Sequence, residues 1–495
     1  MQLIEVLNGT DIDMIDQSDF GITEISGLTC DSRMVKPGFI FAALPGSQLD
    51  GRDYIPNALK QGASCVLAPL KSRLPKHAID VQTGRPVLLL KHSNPRRQYA
   101  LMASRFYGAQ PDLICAVTGT NGKTSVVTLL RQIWESLGYK AASLGTLGVV
   151  AGGFESGGKM TTPDSVDLHR DLRDLSYSGI DHLAIEASSH GLHQHRLDGV
   201  RVKVAAFTNL TQDHLDYHGS VDEYLAAKLR LFSEVIVPGG IAVINKDSEY
   251  AGAVETVCRK KELQIISYGK RGDDVRLKAS EIIPEGYILD ISVAESHFKV
   301  KLPLIGKFQI SNALAAAAVA IACGECPEQV IPKFEELKAV PGRMELAGQV
   351  AKGAKIFIDY AHTPDALLNV LQGLRPHTLK RLHLVFGCGG MRDSSKRAKM
   401  GTLANKLADV VIVTDDNPRT EDPVKIRSQI LSQVPSAIEV PNREEAIHRA
   451  AQGLDKGDIL IIAGKGHEKD QIIGTVARPF SDIMVARDII KRMSS

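Results

Sequence analysis

The residues best suited to chemistry lie in one run, Thr118-Gly-Thr-Asn-Gly-Lys-Thr-Ser125. An apolar stretch over 113–117 precedes it, and 126–137, with apolar residues at helical spacing, follows. Strand, glycine turn and helix in that order let the backbone N–H groups of Gly119, Thr120, Asn121 and Gly122 close around phosphates at a helix N-terminus. Lys123 would neutralise the β- and γ-phosphates, and the hydroxyl of Thr124 or Ser125 would hold Mg²⁺. Val117 stands where the first glycine of G-x-x-x-x-G-K-[ST] is usual. The run still predicts bound ATP or GTP. Two further glycine loops, Gly387-Cys-Gly-Gly-Met-Arg-Asp393 and Gly464-Lys-Gly-His-Glu468, begin like a dinucleotide fingerprint. Arg392 and Lys469 replace its third glycine, which argues against a nicotinamide cofactor. Cys323-x-x-Cys326 has no second pair or nearby histidine, so helix packing is expected of it rather than zinc or redox chemistry.

The elements that must position these loops fall into three blocks, because the texture changes near residue 100 and again at Val340-Pro-Gly342. The first has short apolar runs (39–44, 65–68, 87–90) between Gly/Pro turns, which read as small strands with a helix or two. In the second, apolar runs at 183–185, 204–207 and 241–244 extend the phosphate-loop strand into a mainly parallel sheet, and the alternation over 288–293 predicts an antiparallel addition. The third has strand-like runs at 356–360, 382–386, 410–413 and 459–463 with helices between them, such as 364–374 and 395–407, hence a parallel α/β domain. In such sheets ligands sit at the carboxyl ends of the strands.

A chain of 495 residues with 44% apolar side chains suits two to four domains with real cores. Its 59 basic and 57 acidic residues give a net charge of +2 and no electrostatic footprint for nucleic acid. The longest apolar run, 313–323, is too short to span a membrane. Acidic residues precede the first basic one, Arg33, the reverse of an export signal. Seven scattered cysteines suit reduced thiols. A cytoplasmic, monomeric protein is expected.

The run Thr-Gly-Thr-Asn-Gly-Lys-Thr resembles that of the Mur ligases and folylpolyglutamate synthases, ATP-dependent amide-forming enzymes. Glu186-Ala-Ser-Ser-His-Gly-Leu192, Asn209-Leu-Thr-Gln-Asp-His-Leu-Asp-Tyr-His218, Tyr224-Leu-Ala-Ala-Lys228, Gly306-Lys-Phe-Gln-Ile-Ser-Asn312 and Pro341-Gly-Arg-Met-Glu345 follow in the family's order, so the resemblance covers essentially the whole chain. It implies three α/β domains: a small N-terminal uridine-binding domain (1–98), a central P-loop-type ATPase domain with a mainly parallel sheet (99–341), and a Rossmann-like amino-acid-binding domain (342–495).

The resemblance also implies roles. Lys228 would carry a CO₂-derived carbamate that, with Glu186, His214 and Thr124, holds Mg²⁺, two ions being expected. Asn312 would contact adenine, while Arg343, Asp359 and His362 would make inter-domain nucleotide contacts. Cys30, Ser32, Ser47, Gln48 and Leu49 would bind the UDP-sugar, and Thr161, Thr162, Ser188, Gln194 and Arg196 the muramoyl peptide, which leaves His193 and His195 as packing or surface residues. Asp416-Asn-Pro-Arg419 stands where the family's diaminopimelate-adding branch selects its amino acid. Arg392, Asp416, Asn417, Pro418 and Arg419 would bind meso-diaminopimelate, and Gly464 and Glu468 would receive an amino group. An arginine fork grips a distal carboxylate, whereas lysine would present a repelled ammonium there. The expected reaction is ATP-driven activation of the D-glutamyl γ-carboxylate of UDP-N-acetylmuramoyl-L-alanyl-D-glutamate as an acyl phosphate, followed by attack of the acceptor amine. Closure of the third block about 340–342 would keep water out. The rivals are the same ligation with L-lysine, folylpolyglutamate synthesis, and a P-loop switch without ligation chemistry.

Overall fold

The computed structural model describes residues 1–12, 23–46, 49–152, 154–158, 160–350 and 353–494, so Ser47 and Gln48 lie outside the described residues. The first unit is a four-stranded parallel sheet in the order Gly27–Thr29, Phe39–Ala42, Ala63–Pro69, Leu88–His92. Helix Pro95–Tyr107 packs on three of these strands and runs across the junction expected at 98/99. Asn94 caps it by accepting from the Arg97 N–H, and Pro95 occupies its first turn, where the missing N–H costs nothing.

The central unit is an eleven-stranded sheet with a parallel middle. Leu113–Thr118 lies between Val202–Phe207 and His182–Glu186, all parallel, which brings three strand ends together. At one edge Val275–Ile283 joins parallel to Gln264–Gly269 and is followed by antiparallel Gly286–Val293 and Ser296–Leu302, and at the other edge Gly148–Ala151 and Phe154–Ser156 add antiparallel. The antiparallel addition expected over 288–293 is present. Helices Lys123–Ser136 and Lys307–Ala322 pack on each other on one face. The run of buried alanines 315–318 in the second helix lets the two backbones approach, which accounts for an apolar stretch that is core rather than membrane. No helix among the described residues is long and apolar enough to cross a membrane. Cys323 Sγ lies 3.4 Å from Cys115 Sγ beneath the phosphate-loop strand, so Cys323 does pack within the helix–sheet core.

The third unit has six strands in the order Glu345–Gln349, Lys355–Asp359, Ile459–Ala463, Leu382–Phe386, Val410–Val413, Ile438–Glu439, parallel but for the first. Helices Pro364–Leu374, Ser395–Leu407 and Pro423–Leu431 cover one face, Arg443–Gln452 and Asp482–Ser494 the other. A separate hairpin, Asp470–Ile473 with Val476–Pro479, lies beside the loop following Val410–Val413.

Candidate active site

A cleft of about 580 Å³ separates the second and third units, lined on one side by Lys123, His214 and Lys228 and on the other by Arg392, Asn417, Arg419, Gly464 and Glu468. All but Lys228, which lies in helix Val221–Arg230, sit in the segments that follow the carboxyl ends of strands, because parallel sheets converge their loops at that end.

On the central side the phosphate loop needs its glycines. Gly119 (φ +149°) and Gly122 (φ +91°) adopt conformations that L side chains avoid, and a Cβ at Gly119 would stand 1.9 Å from Thr208 Oγ1. Thr120 N donates to Asn209 O and Asn121 N to Asn209 Oδ1, both at 2.9 Å. Lys123 Nζ folds onto the carbonyls of Gly119 (2.9 Å) and Thr120 (3.0 Å). Lys228 Nζ donates to the same Gly119 carbonyl at 2.8 Å and lies 4.3 Å from the centre of the Tyr224 ring. Two lysines thus share one acceptor. Lys228 is only 1% exposed, and burial, then the Lys123 charge, push its pKa well below that of an ordinary lysine. Burial likewise lowers Lys123.

Glu186, buried at the end of its strand, accepts from Thr124 Oγ1 (3.0 Å), Thr146 Oγ1 (3.2 Å) and Thr146 N (2.7 Å). His214 holds a left-handed backbone, φ +53°, of the sort that stores strain at functional positions. The carboxylate and the hydroxyl suit Mg²⁺, a hard cation that prefers oxygen, and the His214 imidazole is the softer member of the set; a lysine ammonium does not suit it unless it is converted to a carboxylate-like group. Asn312 Nδ2 donates to Gln309 Oε1 (2.9 Å), and its Oδ1 would meet a Cβ at Gly122 at 2.6 Å. Arg343 stacks on Tyr360 with 4.3 Å to the ring centre. Asp359 accepts from Met344 N and Ala361 N, and burial raises its carboxyl to about 6 despite Arg343. His362 Nδ1 lies 2.9 Å from Tyr360 O.

On the third unit's side the glycines serve packing rather than phosphate. A Cβ at Gly387 would strike Thr414 O at 2.2 Å and one at Gly390 would strike Pro418 O at 2.0 Å, so the glycine loop lies directly on Asp416-Asn-Pro-Arg419. Arg419 is itself left-handed (φ +53°), and its Nη1 donates to Gly390 O at 2.9 Å. Asp416 Oδ1 accepts from Asn417 N at 2.7 Å, and its Oδ2 crowds Gly464, where a Cβ would come within 2.6 Å. Asn417 Nδ2 donates to Glu468 Oε2 at 2.9 Å. Arg392 is exposed on the cleft wall.

Family models match the chain in three places: the Mur ligase middle domain over 117–320, the Mur ligase glutamate ligase domain over 342–466, and the Mur ligase family catalytic domain over 24–107. A UDP-N-acetylmuramoyl-L-alanyl-D-glutamate--2,6-diaminopimelate ligase of Rhizobium meliloti is 47% identical over 466 residues, 94% of each chain. The chain belongs to the Mur ligase family. The ligase of the same name from Mesorhizobium japonicum is 46% identical over 93% of each chain. A solved structure with that name superposes with a TM-score of 0.70 at 31% identity, covering 99% of both chains.

In this Mur ligase the residues expected to bind the muramoyl peptide meet one another. Arg196 donates to Thr162 O and to Gln194 Oε1, both at 2.7 Å, and Thr162 Oγ1 lies 2.9 Å from Ser188 Oγ. Thr161 Oγ1 lies 3.1 Å from Thr146 Oγ1, which joins this group to Glu186. The uridine-type residues are further off: Cys30 Sγ faces Asp164 Oδ2 at 3.8 Å, Ser32 Oγ accepts from Asn57, and Leu49 is exposed. His193 Nδ1 meets the Tyr217 hydroxyl at 3.0 Å. His195 belongs with Asp198 and Glu234, a metal-like trio, but Arg230 Nη2 already supplies the cation, at 2.8 Å from His195 Nδ1 and 2.7 Å from Glu234.

Several site residues escaped the sequence reading. Asp365 accepts from Asn121 Nδ2 at 2.8 Å and so links the phosphate loop to the third unit. Its position in the first turn after Thr363-Pro364 was the available signal. Lys396 and Asp213 also line the cleft. Arg397 reaches both oxygens of Glu421, 24 residues away, and no local pattern marks that pair.

Proposed function

We propose that this Mur ligase adds meso-diaminopimelate to the γ-carboxylate of UDP-N-acetylmuramoyl-L-alanyl-D-glutamate at the expense of ATP, a step of peptidoglycan precursor synthesis. The observation that carries this reading is one cleft with a phosphate-loop lysine on one wall and Arg419 and Glu468 on the other. The unit 1–98 takes the sugar nucleotide, 99–341 ATP, and 342–495 the amino acid. On this reading the enzyme is a cytoplasmic monomer acting on soluble small-molecule substrates.

A carboxylate oxygen attacks the γ-phosphorus and ADP leaves. The acceptor amine then attacks the acyl carbon, loses a proton, and expels phosphate. Lys123, released from the Gly119 and Thr120 carbonyls when phosphate arrives, offsets the charge of the transferring group. Gly119 and Gly122 present backbone donors, Thr120 and Asn121 shape the loop through their bonds to Asn209, Ser125 lies buried at the start of the helix, and Asn312 and Arg343 flank the nucleotide. Glu186, Thr124, His214 and a carbamylated Lys228 would hold Mg²⁺, which supplies charge neutralisation to the phosphates. The depressed pKa of Lys228 supports carbamylation, since CO₂ reacts with a neutral amine. The product would relieve the repulsion between two lysines on one carbonyl by turning one into an anion. Cys30, Ser32, Leu49, Ser47 and Gln48 would hold the uridine end. Arg392 and Arg419 take acceptor carboxylates within the frame of Asp416, Asn417 and Pro418, while Glu468 and the Gly464 carbonyl take the ammonium.

The test is ADP release with the sugar-nucleotide dipeptide and meso-diaminopimelate, L-lysine or no acceptor. Release confined to diaminopimelate is expected. Equal release with lysine would remove the selectivity assigned to Arg419, and release independent of any acceptor would remove ligation. For Lys228, ¹³CO₂ should give a protein-bound carbamate resonance that is absent from Lys228→Ala.

A further inference from the structure

We propose that Lys465 is a positioning residue that sets acceptor selectivity by fixing the Glu468 carboxylate and the Arg419 loop at one spacing. The proposal deepens the ligase reading above and rests on it.

The Lys465 side chain has no exposed surface and does not line the cleft. A buried ammonium is costly unless all its protons are used, and here they are. Nζ donates to Glu468 Oε2 (2.7 Å), Asp470 O (2.7 Å) and Asn417 Oδ1 (3.1 Å). Glu468 Oε2 also accepts from Asn417 Nδ2 at 2.9 Å. That oxygen is therefore occupied twice, while Oε1 has no hydrogen-bond partner among the described residues. The carboxylate is clamped at one oxygen and offers the other to the cleft, an arrangement that suits one ammonium in one direction.

The same lysine reaches the carboxylate-binding side. Its third acceptor, Asp470, opens the hairpin whose Ile472 N donates to Asn417 Oδ1 (2.9 Å) and whose Ile472 O accepts from Arg419 N (3.1 Å). Gly474 N returns to Arg419 O at 2.8 Å. These backbone bonds hold Arg419 in its left-handed conformation. Lys465 thus joins the group that receives a cation to the loop that receives an anion. A fixed distance between the two selects an acceptor whose far end carries both an ammonium and a carboxylate, over one that carries either alone.

The probe pair is meso-diaminopimelate and 2-aminopimelate, which keeps both carboxylates and the reacting amine but lacks the distal ammonium. The readout is the ratio of their kcat/KM values, with the KM for ATP as control. In Lys465→Met the ratio should fall about tenfold or more through the KM for diaminopimelate, with the KM for ATP unchanged and part of the ratio restored in Lys465→Arg. In a Glu468→Gln background the Lys465→Met change should add no further loss of the ratio. If Lys465→Met fails to fold, Lys465→Gln, which keeps one donor for Glu468, carries the same test with a smaller fall. An unchanged ratio in the folded variant, or an equal further loss without the Glu468 charge, overturns the proposal. Failure of the ligase reading is distinguishable, since the wild-type protein would then turn over neither acceptor.

Discussion

The two walls of the cleft treat charge in opposite ways. On the phosphate-loop wall Lys123 and Lys228 converge on one carbonyl, with both pKa values depressed. On the acceptor wall every buried cation has an anion: Lys465 with Glu468, Arg397 with Glu421, Arg443 with Asp482. On the ligase reading proposed above, the first wall is completed by what binds it, and its electrostatic energy goes to a transferring phosphate. The second is complete before substrate arrives, so its energy goes into geometry, which is what discrimination between similar amino acids requires.

The largest effect that would break this comparison is at Lys123. Lys123→Ala should lower single-turnover ADP release by about 10³-fold, the usual scale for removing a donor to developing charge. Binding of diaminopimelate to the third unit, followed by calorimetry, should be unaltered. A loss below tenfold would mean that the phosphate wall does not depend on its unpaired charge. Next is Arg443, which has no exposed side-chain surface and donates to both oxygens of an equally buried Asp482 and to Ala463 O, one residue before Gly464. Arg443→Met leaves a buried carboxylate unpaired and should cost about 3 kcal/mol or more in denaturant unfolding. Adding Asp482→Leu should recover most of it. If the single change is neutral, the acceptor wall is not held by its ion pairs.

Much of this was legible in the sequence wherever a local pattern encodes a local structure. The phosphate loop, the strands over 382–386, 410–413 and 459–463, and helices 364–374 and 395–407 coincide with the observed elements because each is defined by its own periodicity and turn residues. What was not legible depends on partners distant in the chain. The hairpin Asp470–Ile473 with Val476–Pro479 is short and largely exposed, with no alternation to betray it, and it pairs with itself and with Arg419. Lys465 reads as loop filler until Asn417, 48 residues earlier, is seen against it. The glycines at 387–390 resembled a nucleotide loop because close backbone approach selects glycine whether the neighbour is a phosphate or, as here, the carbonyls of Thr414 and Pro418.

A smaller effect sharpens the selectivity half of the comparison. Arg419→Lys keeps the charge but loses the planar fork, so KM for diaminopimelate should rise about 30-fold, or roughly 2 kcal/mol, with ATP binding unchanged. L-lysine should remain a poor acceptor, because its far end brings an ammonium to Glu468 but no carboxylate to the cation at position 419. Gain of lysine activity would show that shape rather than charge excludes it.

The smallest effect tests whether the acceptor wall is pre-paired in the absence of ligand. Arg397 is buried and donates to Glu421 at 2.6 and 2.8 Å, while Met391 N donates to Glu421 at 2.9 Å. The Arg397 hydrogen bond, foremost, holds the Glu421 carboxyl at about 2, below its ordinary 4.5. A depressed acid is deprotonated more readily in the folded chain than in the unfolded one. Its stabilisation is therefore fully present above pH 4.5 and drains away as pH falls toward 2. Glu421→Gln should lower Tm at neutral pH by about 2–3 °C, a modest shift because the pair is partly solvated. The gap between variant and wild type should then close progressively as pH falls below 4.5. A gap that stays constant with pH would place the contribution of Glu421 in packing, and the acceptor wall would then owe its order to shape alone rather than to matched charge.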